Sequence, residues 1–161
     1  MRIKVVLGLL AAAMVAAAAL STSLASGATR SKHNASDSVV VSTREVPRLG
    51  RVLVNGSGRT LYMFVPDKQK RVTCKAACAN VWPPLKLPSG AKAVASGGAK
   101  KGLVGSDANP SGGRVVTYNH WPLYTYAGDT KDGVAYGQAL NANGGLWYVL
   151  APSGAVIKKK L

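Results

Sequence analysis

Residues 61–67 read Leu-Tyr-Met-Phe-Val-Pro-Asp, and residues 123–129 read Leu-Tyr-Thr-Tyr-Ala-Gly-Asp. Both fit Leu-Tyr-x-aromatic-x-x-Asp and align without a gap at an offset of 62 residues. A phrase that returns at such a distance marks one structural unit used twice. On a strand, residues i and i+2 share a face. Tyr62 and Phe64 are therefore expected to point one way, as are Tyr124 and Tyr126, with Leu61 and Leu123 opposite. Asp67 and Asp129 fall just past the strand, where a carboxylate can accept backbone N–H groups and fix a turn. Each can also accept the phenolic O–H of the Tyr in its own phrase, which satisfies both groups when they are buried. That makes the phrase a corner brace. A second reading makes it a pair of aromatic-plus-carboxylate sites, which suit sugars or cations. The ligand-binding residues are then Tyr62, Phe64, Asp67, Trp121, Tyr124, Tyr126 and Asp129.

The segments around the phrase read as hairpins. Residues 51–54 and 59–64 flank Asn55-Gly56-Ser57-Gly58, a turn rich in residues that tolerate positive φ. Residues 114–118 and 123–126 flank Asn119-His120-Trp121-Pro122 in the second copy. A shorter hairpin is predicted over 146–157, and a strand over 39–46 before the first hairpin. Helix is scarce. Thr73 is a candidate cap for one turn through Ala79, stopped before Pro83-Pro84. Residues 86–113, poor in aromatics and rich in Gly, Ala, Ser and Lys, read as an exposed connector with one short strand near Leu103-Val104. The expected fold class is all-β. Two similar hairpin-based repeats, about 49–85 and about 112–150, pack into one domain spanning 39–157, with a short helical turn near the Cys pair.

The chain opens as an export signal over residues 1–25. Arg2 and Lys4 precede an apolar, Ala-rich run over 5–20, and Ser23-Leu24-Ala25 is a cleavage site. The run falls short of the ~20 residues that cross a bilayer, so no membrane span is expected after cleavage. Residues 26–38 are polar and read as a disordered tail. Export implies an oxidising compartment, where Cys74 and Cys78, the only cysteines, are expected to pair as a disulfide. Four residues apart on a helical turn, their Cα atoms would lie ~6 Å from each other, within disulfide reach. The alternatives, a metal site or redox centre, lack ligands and motif: the spacing is not C-x-x-C, and His33 and His120 are the only histidines.

Charge narrows the partners. The chain holds 21 Lys and Arg against 6 Asp and Glu, a formal +15, of which the signal removes two cations. Outside the cell such charge meets wall polymers, acidic polysaccharides or lipid headgroups rather than nucleic acid. A solvated basic surface that only aids solubility is the other reading. Residues 158–161, with Lys158-Lys159-Lys160, form a basic tail that fits either. No phosphate-cradling Gly loop is present. His120 is the sole His of the folded part, which leaves no Ser-His-acid set. No cofactor or metal is expected. The one enzymatic idea is a glycosidase on Asp67 and Asp129, which would need the two carboxyls ~5–10 Å apart in a cleft. Repeated corners more often fall on opposite sides of a core.

Taken together, these residues resemble the bacterial secreted-repeat family defined by a Tyr-x-(Phe/Trp/Tyr)-x-x-Asp motif, many of whose members are predicted lipoproteins of unknown function. The resemblance spans about 49–157. It includes Gly58 to Tyr62 through Asp67, Cys74, Cys78, Ala79 to Leu85, Val116 to Asn119, Trp121 to Tyr124 through Asp129-Thr130, Gly137-Gln138 and Trp147-Tyr148. It implies a secreted location and brings no catalytic residues. Two departures stand out. No Cys lies near the signal to carry a lipid, and His120 stands where relatives usually have Gly. The expectation is a non-enzymatic, secreted cell-envelope protein associated with anionic wall or surface polymers. A sugar- or cation-binding module is the alternative, and a glycoside hydrolase the third. Oligomeric state is not legible.

Overall fold

The computed structural model describes residues 38–68 and 71–161. The signal at 1–25 and nearly all of the tail read at 26–38 lie outside the described residues. β1 (Ser38–Val46) and β2 (Gly50–Asn55) form an antiparallel hairpin in the register Val41↔Asn55 to Val46↔Gly50. The turn at residues 55–58 is held by the Asn55 side chain, which accepts the amides of Ser57 (3.0 Å) and Arg59 (2.9 Å). The chain returns as β3 (Tyr62–Phe64). Both faces of this strand are buried, because it lies between two apolar clusters. Leu61 and Met63 join Val41, Leu53, Val116, Leu123 and Leu150 on one side. Tyr62 and Phe64 join Val52, Trp82, Tyr124, Trp147 and Val149 on the other. This is the period-two division expected of a strand.

A 3-10 turn (Val65–Asp67) ends the first phrase, and α1 (Ala77–Val81) follows. Then come β4 (Lys86–Leu87), β5 (Lys92–Ala95), β6 (Val104–Ala108), β7 (Arg114–Tyr118), β8 (Trp121–Pro122), β9 (Asn141–Ala142) and β10 (Gly145–Val149). The sheets run β2-β1-β5, β3-β10-β9 and β4-β7-β6, with β8 also on β7. The fold is all-β, built on two repeats with one short helix beside a Cys74–Cys78 disulfide whose Cα atoms are 5.3 Å apart.

The repeats are intertwined. β3 of the first pairs with β10 of the second (Tyr62↔Val149, Phe64↔Trp147). The second phrase pairs in turn with residues 83–85 of the first: Leu85 donates to the Leu123 carbonyl at 2.8 Å, and Thr125 to that of Pro83 at 2.9 Å. Each repeat thus completes the other's sheet. At the centre Tyr62 and Tyr124 exchange both backbone hydrogen bonds, at 2.8 and 2.9 Å.

Three local expectations are corrected. The stretch 86–113 is not a connector with one strand; it holds β4, β5 and β6. Short edge strands of this kind form through backbone pairing with β1 and β7 and need little side-chain pattern. Thr73 does not cap the helix: α1 begins after Ala76 without a side-chain cap, and the Thr73 hydroxyl turns to Asp67. The second hairpin turns on Asn119 and His120 alone, both at positive φ (47° and 66°), so the strand resumes at Trp121. The short hairpin over 146–157 does form: beyond β10, Leu150 bridges Val156, Ala151 donates to the Ala155 carbonyl at 2.9 Å and Ile157 to that of Val149 at 3.0 Å.

Candidate functional site

The repeated phrase converges at the centre of the molecule. Pro66 and the 3-10 turn bring Asp67 inward at the end of β3, and Lys68 in the left-handed region (φ 45°) stops the turn. Asp67 is fully buried. Its Oδ1 accepts the Thr73 amide (2.8 Å) and hydroxyl (2.6 Å), and its Oδ2 accepts the hydroxyl of Tyr124 (2.7 Å). Asp129 repeats the arrangement. Its Oδ1 accepts the Tyr136 amide (2.8 Å), and its Oδ2 accepts the hydroxyl of Tyr62 (2.6 Å). Each carboxylate therefore binds the phenol of the opposite phrase. The sequence reading paired each Asp with the Tyr of its own phrase; the intertwined sheets reverse that, because they set each strand end beside the other repeat's tyrosine.

The second copy has a further donor: the Gly137 amide donates to the Tyr62 hydroxyl (3.2 Å). Gly137 must be glycine, since a Cβ there would lie 2.7 Å from the Trp82 ring. Arg59 donates to the Asp129 carbonyl. Burial, foremost, pushes both carboxyls above their ordinary value near 3.8, opposed by their hydrogen-bond donors. Burial likewise holds both phenols far above the usual tyrosine range, with the paired carboxylate charge adding to it.

Six rings fill the space between the pairs. Phe64 stacks on Trp147 at 4.1 Å, Trp147 on Trp82 at 3.9 Å, and Trp82 on Tyr126 at 4.3 Å. Tyr62 and Tyr124 meet the flanks of Trp82 and Trp147 edge-on, at 5.4 and 5.2 Å. Offset stacks and edge-to-face contacts are the favoured aromatic geometries.

The expected ligand-binding residues are thus placed as follows. Tyr62, Phe64, Asp67, Tyr124 and Asp129 are buried and mutually engaged, and offer no face to a ligand. Tyr126 is half-buried on the end of the ring column, and Trp121 is half-buried beside the other apolar cluster. Thr73, Tyr136 and Gly137, which complete the network, escaped the sequence reading. Thr73 lies six residues after Asp67 and Tyr136 seven after Asp129, so the gapless register of the phrase is lost just where these donors occur. Among the described residues no group of three or more His, Cys, Asp or Glu side chains is placed to hold a metal ion.

The profile of a family described as a secreted repeat of unknown function matches residues 44–86 and 106–151, more than half of the chain. The two matched stretches contain the two copies of the phrase. No curated protein and no solved structure matches the chain.

Proposed function

The chain belongs to this family of secreted repeats, and from that premise we propose that it is a non-enzymatic protein of the cell envelope that holds anionic polymers on a basic surface. The observation that carries this reading is the placement of its few acids. Asp67 and Asp129 are buried inside the molecule. Glu45 and Asp132 stand 3.9 Å from Arg51 and 3.4 Å from Arg44. Every described Lys and Arg except the half-buried Arg59 is exposed. The outward field is therefore cationic, which favours polyanions and speeds their encounter.

The basic end of the chain supports the same reading. The Gln138 side chain is buried; its Oε1 accepts the Val149 amide at 2.9 Å. Its Nε2 donates to the carbonyls of Ile157 (2.6 Å) and Lys159 (2.7 Å). Lys158 to Lys160 are thereby tied to the body of the protein, which lowers the ordering cost of a contact through them. Both oxygens of Asp67 and of Asp129 are already engaged by donors, and this favours binding over hydrolysis.

Sedimentation with isolated cell walls tests the proposal. Binding at low salt should be reversed as the screening length contracts from ~10 Å at ~0.1 M to ~3 Å at ~1 M. Retention at the higher salt, or no binding at the lower, would reject it.

A further inference from the structure

The open face of the first hairpin holds a groove that the intertwined core does not use. Val40, Ser42 and Arg44 alternate along β1 on one side, and Val54 stands across from Ser42. Together with the turn at residues 55–58 and with Ser96 they line a cavity of about 320 Å³. Val40 and Val54 are its apolar side chains, and Ser42, Thr43, Arg44, Asn55 and Ser96 are the polar ones. Arg44 faces Asp132 at 3.4 Å, and both side chains are close to half exposed (45% and 47%). Gly58 lies beneath this ion pair at φ 79°. A Cβ there would fall 2.4 Å from Asp132 Oδ2 and 2.8 Å from Arg44 Nη2, so a side chain would push the ends of the pair aside and strain the positive φ.

We propose that this groove binds one acidic saccharide unit, with Arg44 taking its carboxylate and Ser42 and Ser96 its hydroxyls. The inference rests on the polyanion reading above and gives it a place on the molecule. An exposed ion pair is weakly held, so an incoming carboxylate displaces Asp132 from the guanidinium. The planar fork then receives it through two parallel hydrogen bonds. A mixed wall of hydroxyls and apolar side chains matches a sugar ring, which carries both kinds of surface.

The second repeat supplies an internal comparison. The 62-residue offset that aligns the phrases puts His120 in the place of Gly58. The cavity beside His120, against Val104 and Thr117, measures about 90 Å³ and has neither Lys nor Arg in its lining. The groove is open and cationic in the first copy only, so one site per chain is expected.

Calorimetric titration of the exported chain with an oligogalacturonate, a neutral oligosaccharide of equal length and a polyphosphate tests the assignment. The uronate should bind at one site. Arg44→Gln should weaken it about tenfold, the loss expected for one charge-assisted contact, with an unchanged thermal melt. Ser96→Leu, which narrows the groove from an exposed position, should weaken it comparably. Replacing Lys158, Lys159 and Lys160 by Gln removes more charge but should weaken it less. If the parent binds uronate and both groove variants match it, the groove assignment fails while the basic-surface reading stands. If the parent binds no polyanion, the basic-surface reading itself fails. Binding of the neutral sugar as tightly as the uronate would overturn the role of Arg44. Tighter binding of polyphosphate than of uronate would overturn the saccharide.

Discussion

Tyr62 and Asp129 are 67 residues apart, yet each is the other's buried hydrogen-bond partner at 2.6 Å. A buried carboxylate that loses a donor has no water to replace it, so Tyr62→Phe and Tyr124→Phe should each cost about 1.5–3 kcal/mol in denaturant unfolding. The crossing itself is tested by double-mutant cycles. Tyr62→Phe should couple to Asp129→Ala by about 1 kcal/mol or more, and add to Asp67→Ala within about 0.5 kcal/mol. Coupling of Tyr62 to Asp67 instead would reject the crossed arrangement. The carboxyls also set a pH dependence. Their folded values are raised above 3.8, chiefly by burial. The folded state therefore holds these protons more tightly than the unfolded chain does. The stability they contribute is full below the unfolded value and is lost as pH rises through the folded one. As pH rises above about 4 the parent should lose stability relative to Asp67→Asn and Asp129→Asn; a difference that stays constant with pH would refute this.

At the scale of elements, the two repeats build one corner by different means. In the first, the donor segment is closed by the Cys74–Cys78 disulfide next to α1. In the second, no cysteine is present, and Gly137 is packed beneath Trp82 while Gln138 ties β10 to the C-terminal residues. Replacing both cysteines by Ser should cost about 2 kcal/mol, since the closed loop is short. Amide exchange should quicken at Thr73 and residue 74 and stay unchanged at Tyr136 and Gly137; uniform quickening would show that the disulfide braces the whole molecule. Gly137→Ala inserts a methyl where no space exists and should cost about 1–3 kcal/mol. The strand of the first phrase was legible in the sequence because both of its faces carry a pattern; the strand read over 123–126 is reduced to bridges at Tyr124, because β8 ends at Pro122. β4 and β5 were not legible, because two to four residues at a sheet margin are selected by backbone pairing alone.

Across the whole molecule, neither repeat can complete its own sheet. β3 needs β10, the second phrase needs residues 83–85, and each buried aspartate needs the other repeat's phenol. Residues 38–103 or 104–161 produced alone should therefore stay unfolded by circular dichroism and amide dispersion, and mixing the two should restore structure. An independently folded half would contradict the intertwined arrangement. The same construction explains why the most conspicuous aromatic residues of the chain are unavailable to ligands. They form the seam between the repeats, and the binding surface proposed above lies instead on the hairpin face with its cations.

What the sequence by itself determined is local or periodic. It includes the duplication, the two-sided division of Leu61-Tyr62-Met63-Phe64, the all-β class and the pairing of two cysteines four residues apart. Each of these follows from spacing along one stretch of chain. Only the tertiary structure decided which phenol meets which carboxylate, that the phrase is core rather than surface, and that Gly58 sits under the Arg44–Asp132 pair while His120 lines a smaller cavity. Those outcomes depend on which segments are brought together across the centre of the molecule. A hydrogen bond or a close approach between residues far apart in the chain is set by that packing and leaves no mark in the local pattern of either partner.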